Sequence, residues 1–295
     1  AGTLHTKTGF DTEWNYSIDA LKDGYDRTIH NYRGLALTET NGQYIFALSA
    51  GLNYNEESEL GITHGDLLLN FSGENFNLAN GGDKLFGVKF APKNDTDLAL
   101  GLYSNVVAGD INAFANIDHT PRWDSLRDYY STGYGKLNSY GTDLISVAPA
   151  YEYFYSKTID QTTDQNTPFM NGIQSGTKIG DVSMLDQATL AGLGLDFEHF
   201  GVDAVGSSIF GIAIDKSLFA GLLPSGISEV MAHVILENGD GVAVKGELNI
   251  SEEGGVDPNR ETTPEPTALL GLSLIGLAFL KGARRHSTHR TLQEN

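Results

Sequence analysis

From residue 14 to residue 250 the chain reads as short apolar or alternating runs, each broken by glycine, asparagine or aspartate clusters. That rhythm suits strands joined by turns and is too short for long amphipathic helices, which need a sustained 3.6-residue period. Strands are expected at 14–19, 34–39, 44–52, 66–72, 85–90, 99–107, 144–147, 207–214, 230–236 and 241–250. Asn41-Gly42 and Asn238-Gly239-Asp240-Gly241 separate pairs of these runs and mark two hairpins, the first because both turn residues tolerate positive φ. A short helix is expected within 181–195, where Val182, Leu185, Leu190 and Leu193 sit among helix formers and Gly192-Leu193-Gly194 supplies a C-cap. A second is expected over 123–130, just after Pro121. Between 108 and 176 the chain is tyrosine-rich and weakly periodic, which reads as an extended loop region with one strand near 151–155.

The 35 glycines and 13 tyrosines, set against three methionines, agree with turns and pleated strands. The expected class is all-β: residues 1–250 as one β-sandwich of jelly-roll or lectin-like type with one or two short helices. No repeat of solenoid or propeller period is evident. With no cysteine, disulfide frameworks, thiolate nucleophiles and cysteine metal sites are all excluded. The net charge of -19 gives no electrostatic footprint for nucleic acid, whose affinity rests on Lys/Arg contacts to phosphate. Acidity of this kind keeps an extracellular domain soluble and favours divalent cations over polyanions.

Beyond Ile250 the pattern changes. Residues 251–263 hold Val256 as their one large apolar residue, so they can bury almost nothing and should form a disordered linker. Pro264-Glu265-Pro266 then opens an uncharged run over 267–280, rich in Ala, Leu, Gly, Ile and Phe, followed by Lys281, Arg284 and Arg285. As a helix such a run rises about 21 Å, short of the ~30 Å hydrocarbon core, so it can insert but anchors poorly. The basic cluster should stay on the cytoplasmic side, leaving residues 1–263 outside. Ala1 suits a chain from which a signal peptide has been removed.

The order Pro-Glu-Pro, short apolar helix, basic cluster resembles the PEP-CTERM sorting domain, over about residues 264–285. The resemblance implies recognition by an exosortase-type transpeptidase. Pro264, Glu265 and Pro266 would mark the processing site, and Lys281, Arg284 and Arg285 would stop transfer. The body, through Trp14-Asn15-Tyr16-Ser17-Ile18-Asp19, the 65–72 run Gly-Asp-Leu-Leu-Leu-Asn-Phe-Ser, the 85–90 run Leu-Phe-Gly-Val-Lys-Phe, and Gly194-Leu195-Asp196-Phe197, looks like cyanobacterial exosortase-dependent surface proteins. That family implies a location and carries no established catalytic residues.

Few constellations point to chemistry. Carboxylate pairs such as Glu56-Glu57 or Asp95 with Asp97 could serve a glycosidase only at a set separation, and among 38 carboxylates such pairs arise by chance. His64, His119, His199 and His233 are scattered, without an HExxH spacing. A GxSxG elbow, a P-loop and a dinucleotide fingerprint are missing from the sequence. Asp23 and Asp26, Asp95 and Asp97, and Asn238-Gly239-Asp240 lie in oxygen-rich loops that could hold a structural calcium ion, although Asx side chains in turns normally bond the backbone. Tyr151, Tyr153 and Tyr155 alternate and could stack on sugar rings, although strand tyrosines are commonly half-buried pleat residues.

The expected protein is therefore an exported, non-enzymatic structural or adhesive component of the cell surface or extracellular matrix, needing no cofactor except such a calcium. Its partners would be the exosortase, the membrane before processing, and envelope polysaccharide. A carbohydrate-binding, lectin-like module is the first alternative and a secreted polysaccharide hydrolase the second.

Overall fold

A computed structural model describes residues 5–9, 12–19, 28–59, 61–111, 153, 170–237 and 239–250. The chain divides into two compact units, Ala1–Gly254 and Gly255–Asn295, and all described residues lie in the first. The sorting motif, the apolar run, the helix expected over 123–130 and the strands expected at 144–147 and 151–155 lie outside the described residues, Tyr153 excepted.

The described residues are mostly β. The strands are β1 (His5–Gly9), β2 (Thr12–Ile18), β3 (Tyr32–Glu39), β4 (Gln43–Ala50), β5 (Leu67–Asn70), β6 (Leu85–Lys89), β7 (Gly101–Gly109), β8 (Gly172–Gly180), β9 (Ser183–Asp186), β10 (Ser208–Asp215), β11 (Gly226–Ile235) and β12 (Gly241–Ile250). They form two six-stranded sheets, β1-β2-β3-β4-β10-β9 and β12-β11-β5-β6-β7-β8. Every strand pairing is antiparallel.

The main core lies between the sheets and follows the period of two. In β4, Tyr44, Phe46, Leu48 and Ala50 face inward with Leu35 and Leu37 of β3 and Phe210, Ile212 and Ile214 of β10. They meet Leu67, Leu69, Phe86, Val88, Val230, Val234, Val242 and Val244 of the second sheet. The alternate positions Ala36, Ile45, Ala47 and Ala213 are buried too, in a second core with Trp14, Tyr16, Leu190, Phe197 and Phe200. That core forms because short helical segments cover the outer face of the first sheet. They are α2 (Gln187–Gly192; α1 is Phe76–Ala79) and the 3₁₀ turns Phe197–Phe200 and Val202–Ala204.

Small residues let this cover approach. A Cβ on Gly34 would stand 2.8 Å from Phe197 Cε1, and one on Gly211 2.8 Å from Leu190 Cδ2. Polar ties fix the cover in place: Trp14 Nε1 donates to Leu193 O at 2.9 Å, Asp196 N to Tyr16 Oη at 2.9 Å, and Ser49 Oγ to Ala204 O at 2.8 Å.

Several expectations need correction. The helix within 181–195 is confined to α2, because Asp186 caps it by accepting from Thr189 N and residues 183–186 pair with β10 instead. The Asn41-Gly42 hairpin forms, but neither residue has positive φ; the Thr40 hydroxyl accepts from Gln43 N at 3.1 Å and closes the turn. β5 stops at Asn70, whose Oδ1 accepts from Ser72 N and Oγ. The end of the expected 108–176 loop region is strand β8, which borders β7 with irregular register around Asn105, at φ 51°.

Candidate functional site

His64, Asp66, Lys89, Glu237 and Asp240, all buried, gather where β3, β5, β6, β8 and the β11–β12 hairpin come together. The Leu67–Val88 register pair sets Asp66, just ahead of β5, beside Lys89 at the end of β6. Both are buried, with exposures of 0 % and 3 %. After β6 the chain turns back through residues 91–97 with Asn94 and Thr96 pointing inward and Asp95 and Asp97 outward. Lys89 Nζ donates to Asn94 Oδ1 and Thr96 O, and to Asn94 O at 3.3 Å. The loop's inward oxygens thus receive an ammonium from the same chain.

Asp66 sits on the far side of the same residues. Its Oδ1 accepts from Asn94 Nδ2 at 2.7 Å, and its Oδ2 from Thr96 Oγ1 at 3.0 Å and Ile173 N at 2.8 Å. Burial pushes the Asp66 carboxyl up, against these hydrogen bonds and the Lys89 charge. Burial likewise pulls Lys89 down, against the charges of Asp66, Asp97 and Asp95. The preceding residue must be glycine: a Cβ on Gly65 would lie 2.2 Å from both Asn171 O and Ile235 O.

Beside this pair stands His64, also fully buried. Its Nε2 faces Leu52 O at 3.1 Å, and since a carbonyl only accepts, Nε2 carries the proton. Nδ1 therefore accepts from Tyr32 Oη at 2.6 Å. Burial among Tyr32, Phe90 and Phe210 pulls the imidazole down to about 4, so it is neutral near pH 7. Tyr32 N donates to Asp240 Oδ2 at 2.5 Å, and burial, then the charges of Asp240, Glu237 and Asp66, raise the Tyr32 phenol. Glu237 accepts from Thr63 N and Thr63 Oγ1, both at 2.8 Å. Burial pushes it up to about 7.

The cluster therefore ties together residues 32, 63–66, 89–96, 171–173, 237 and 240. Most of its polar atoms are spent on one another, and it is enclosed. Chemically it is equipped to hold loops at fixed positions and to move protons internally.

A separate open cleft of about 380 Å³ runs between β2–β3 and β11–β12, lined by Glu13, Thr38, Glu39, Glu229, Lys245 and Glu247 among others. Lys245 pairs with Glu229 at 2.7 Å and Lys216 with Glu39 at 3.2 Å, at exposed or rim positions. Among the described residues no group of three or more His, Asp or Glu stands where it could hold a metal ion, and no helix is long and apolar enough to cross a membrane.

Of the residues singled out from sequence, Asp95 and Asp97 are exposed on the loop just described. Tyr153 packs its ring against Phe76 at 5.9 Å and His233 at 6.1 Å, and burial raises its phenol. Asp23, Asp26, Tyr151, Tyr155, Pro264, Glu265, Pro266, Lys281, Arg284 and Arg285 lie outside the described residues. Sequence reasoning missed Tyr32, His64, Asp66, Lys89 and Glu237 as a group. The available signal was a charge standing in each of two apolar runs, Asp66 before three leucines and Lys89 between Val88 and Phe90.

Compared with family models, curated proteins and solved structures, the chain matched none.

Proposed function

We propose that this chain is an exported cell-surface or extracellular-matrix protein with a structural or adhesive, non-enzymatic role. In this reading its tail is a PEP-CTERM signal, processed near Pro264-Glu265-Pro266 by an exosortase while residues 267–280 hold the precursor in the membrane. The finer form of the sandwich, jelly-roll or lectin-like, belongs to the same proposal. Two facing six-stranded antiparallel sheets support it.

The observation that carries the non-enzymatic role is the enclosure of the ionisable cluster. His64 and Asp66 are fully buried, Lys89 is 3 % exposed, and their polar atoms bond partners within the fold. A catalytic acid or base has to reach a substrate proton at hydrogen-bond distance. These groups spend their bonds holding five segments together, which suits a domain selected to persist outside the cell.

Intact mass of the protein recovered from the outer envelope tests this reading, with a variant carrying alanine at 264–266 alongside. Wild type lacking the residues after about 265, with the variant retained full-length in the inner membrane, supports it. A wild type that keeps residues 267–295 on the cell surface refutes the sorting signal.

A further inference from the structure

Three reactive groups stand in sequence inside the buried cluster. The Lys89 amine is hydrogen-bonded to the Asn94 side-chain oxygen, and the Asn94 amide nitrogen donates to Asp66 at 2.7 Å. The amine thus lies against the carboxamide it could attack, and a carboxyl lies against the nitrogen that would leave. Exposures of 3 %, 6 % and 0 % for Lys89, Asn94 and Asp66 keep bulk water from competing. We propose that Lys89 and Asn94 become joined by an intramolecular isopeptide bond, formed by the protein itself with Asp66 as the catalytic acid and base.

The reaction balances without a co-reactant. The starting forms are an uncharged Lys89 amine, its two N–H groups on Asn94 O and Thr96 O, and a protonated Asp66 hydrogen-bonded to Asn94 Nδ2. The amine lone pair attacks Asn94 Cγ. The Nζ–Cγ bond forms, the Cγ–Nδ2 bond breaks, and the carbonyl is restored. Asp66 delivers its proton to Nδ2 along their hydrogen bond; the departing ammonia takes the proton that Nζ sheds on becoming an amide and returns it to Asp66 as it leaves, so Asp66 ends protonated as it began. One amine and one primary amide become one secondary amide and one ammonia; nothing is oxidised or reduced.

The electrostatics favour the reactive forms. Burial lowers the affinity of Lys89 for its proton and raises that of Asp66, so each group is shifted toward the neutral form that the reaction uses. Ground-state contact between nucleophile and carbonyl supplies the proximity such amide exchange otherwise lacks. The product would fix the 89–94 turn covalently, and with it the loop carrying Asp95 and Asp97.

Intact mass spectrometry of the folded full chain, followed by tryptic mapping, is the test. The expected result is a mass lower by one ammonia, resistance to cleavage after Lys89, and a branched peptide joining Lys89 to the segment that begins at Asn94. Asp66→Asn, shown by circular dichroism to be folded, should keep the full mass, and Lys89→Arg should do the same. A folded wild type at full mass overturns the proposal. So does loss of one water, which would join Lys89 to Asp66, or an ammonia lost as a backbone succinimide that leaves Lys89 cleavable. A folded Asp66→Asn that still forms the bond overturns the role of Asp66. Should Asp66→Asn fail to fold, the wild-type mass and peptide map decide alone.

Discussion

Two buried histidines should control how this domain responds to acid, and His64→Gln isolates one of them. Both His64 and His233 are held down to about 4 from the usual 6.5 of an imidazole, with burial the leading cause. The unfolded chain therefore binds protons that the folded chain refuses between about pH 6.5 and 4, and stability falls as pH drops through that window. The full gap for His64 corresponds to about 3 kcal/mol, and about 2 kcal/mol of it is expressed by pH 5. Glu237 works the other way. Its carboxyl is raised to about 7 from 4.5, so the folded state holds the extra proton and stability rises by about 3 kcal/mol as pH falls across that interval. Asp66, also raised, acts in the same sense as Glu237. Wild type should consequently lose only about 1–2 kcal/mol between pH 7 and pH 5, the remainder after two histidines oppose one glutamate. His64→Gln should flatten the decline while lowering stability at every pH. Glu237→Gln should steepen it by about 2 kcal/mol. Urea unfolding across this range, followed by tryptophan fluorescence, gives the comparison. A pH slope in His64→Gln equal to that of wild type would falsify the account.

Other expectations follow from single contacts. Lys89→Met leaves the buried Asn94 Oδ1, Asn94 O and Thr96 O without their donor and should cost about 1–3 kcal/mol in urea unfolding near pH 7. Gly211→Ala drives a methyl against Leu190 and should cost about 1–3 kcal/mol. Gly192→Ala, where a Cβ meets nothing within 4 Å, should be neutral or stabilising by up to about 1 kcal/mol on the same assay.

Most of the sandwich was legible because its strands carry their own period. β3, β4, β10 and β12 combine apolar alternation with clear turn signals, and the expected spans match them closely. β8 was not legible. Its sequence, GIQSGTKIG, has three glycines and little apolar alternation, and it is a strand because β7 offers it an edge. The helical cover was half legible: the leucines near 190 announced α2, but nothing local shows that Gly34 and Gly211 are small in order to receive Phe197 and Leu190. The buried cluster was hardest, since its members lie up to 208 residues apart, as in the Tyr32–Asp240 hydrogen bond. Only tertiary structure makes such residues neighbours.

The same cluster sharpens the expectation about calcium. An oxygen-rich loop in an acidic chain invites a divalent ion, yet at residues 94–97 the inward oxygens, Asn94 Oδ1, Asn94 O and Thr96 O, already receive the Lys89 side-chain nitrogen, which fills the same space whether it is free or joined to Asn94. Calcium requires six to eight oxygens, and here it would have to displace a side-chain nitrogen tethered in the same chain. Removing that competitor should expose the preference of the loop. In Lys89→Met the freed oxygens, with Asp66 beneath and Asp95 and Asp97 outside, form an oxygen-rich pocket without a positive charge. Added calcium should then raise the melting temperature of Lys89→Met, by mass action worth about 2.7 kcal/mol at a hundredfold excess over Kd. Wild type should not respond at this loop. An equal calcium shift in both proteins would place the ion elsewhere and show that Lys89 does not occupy a cation's position.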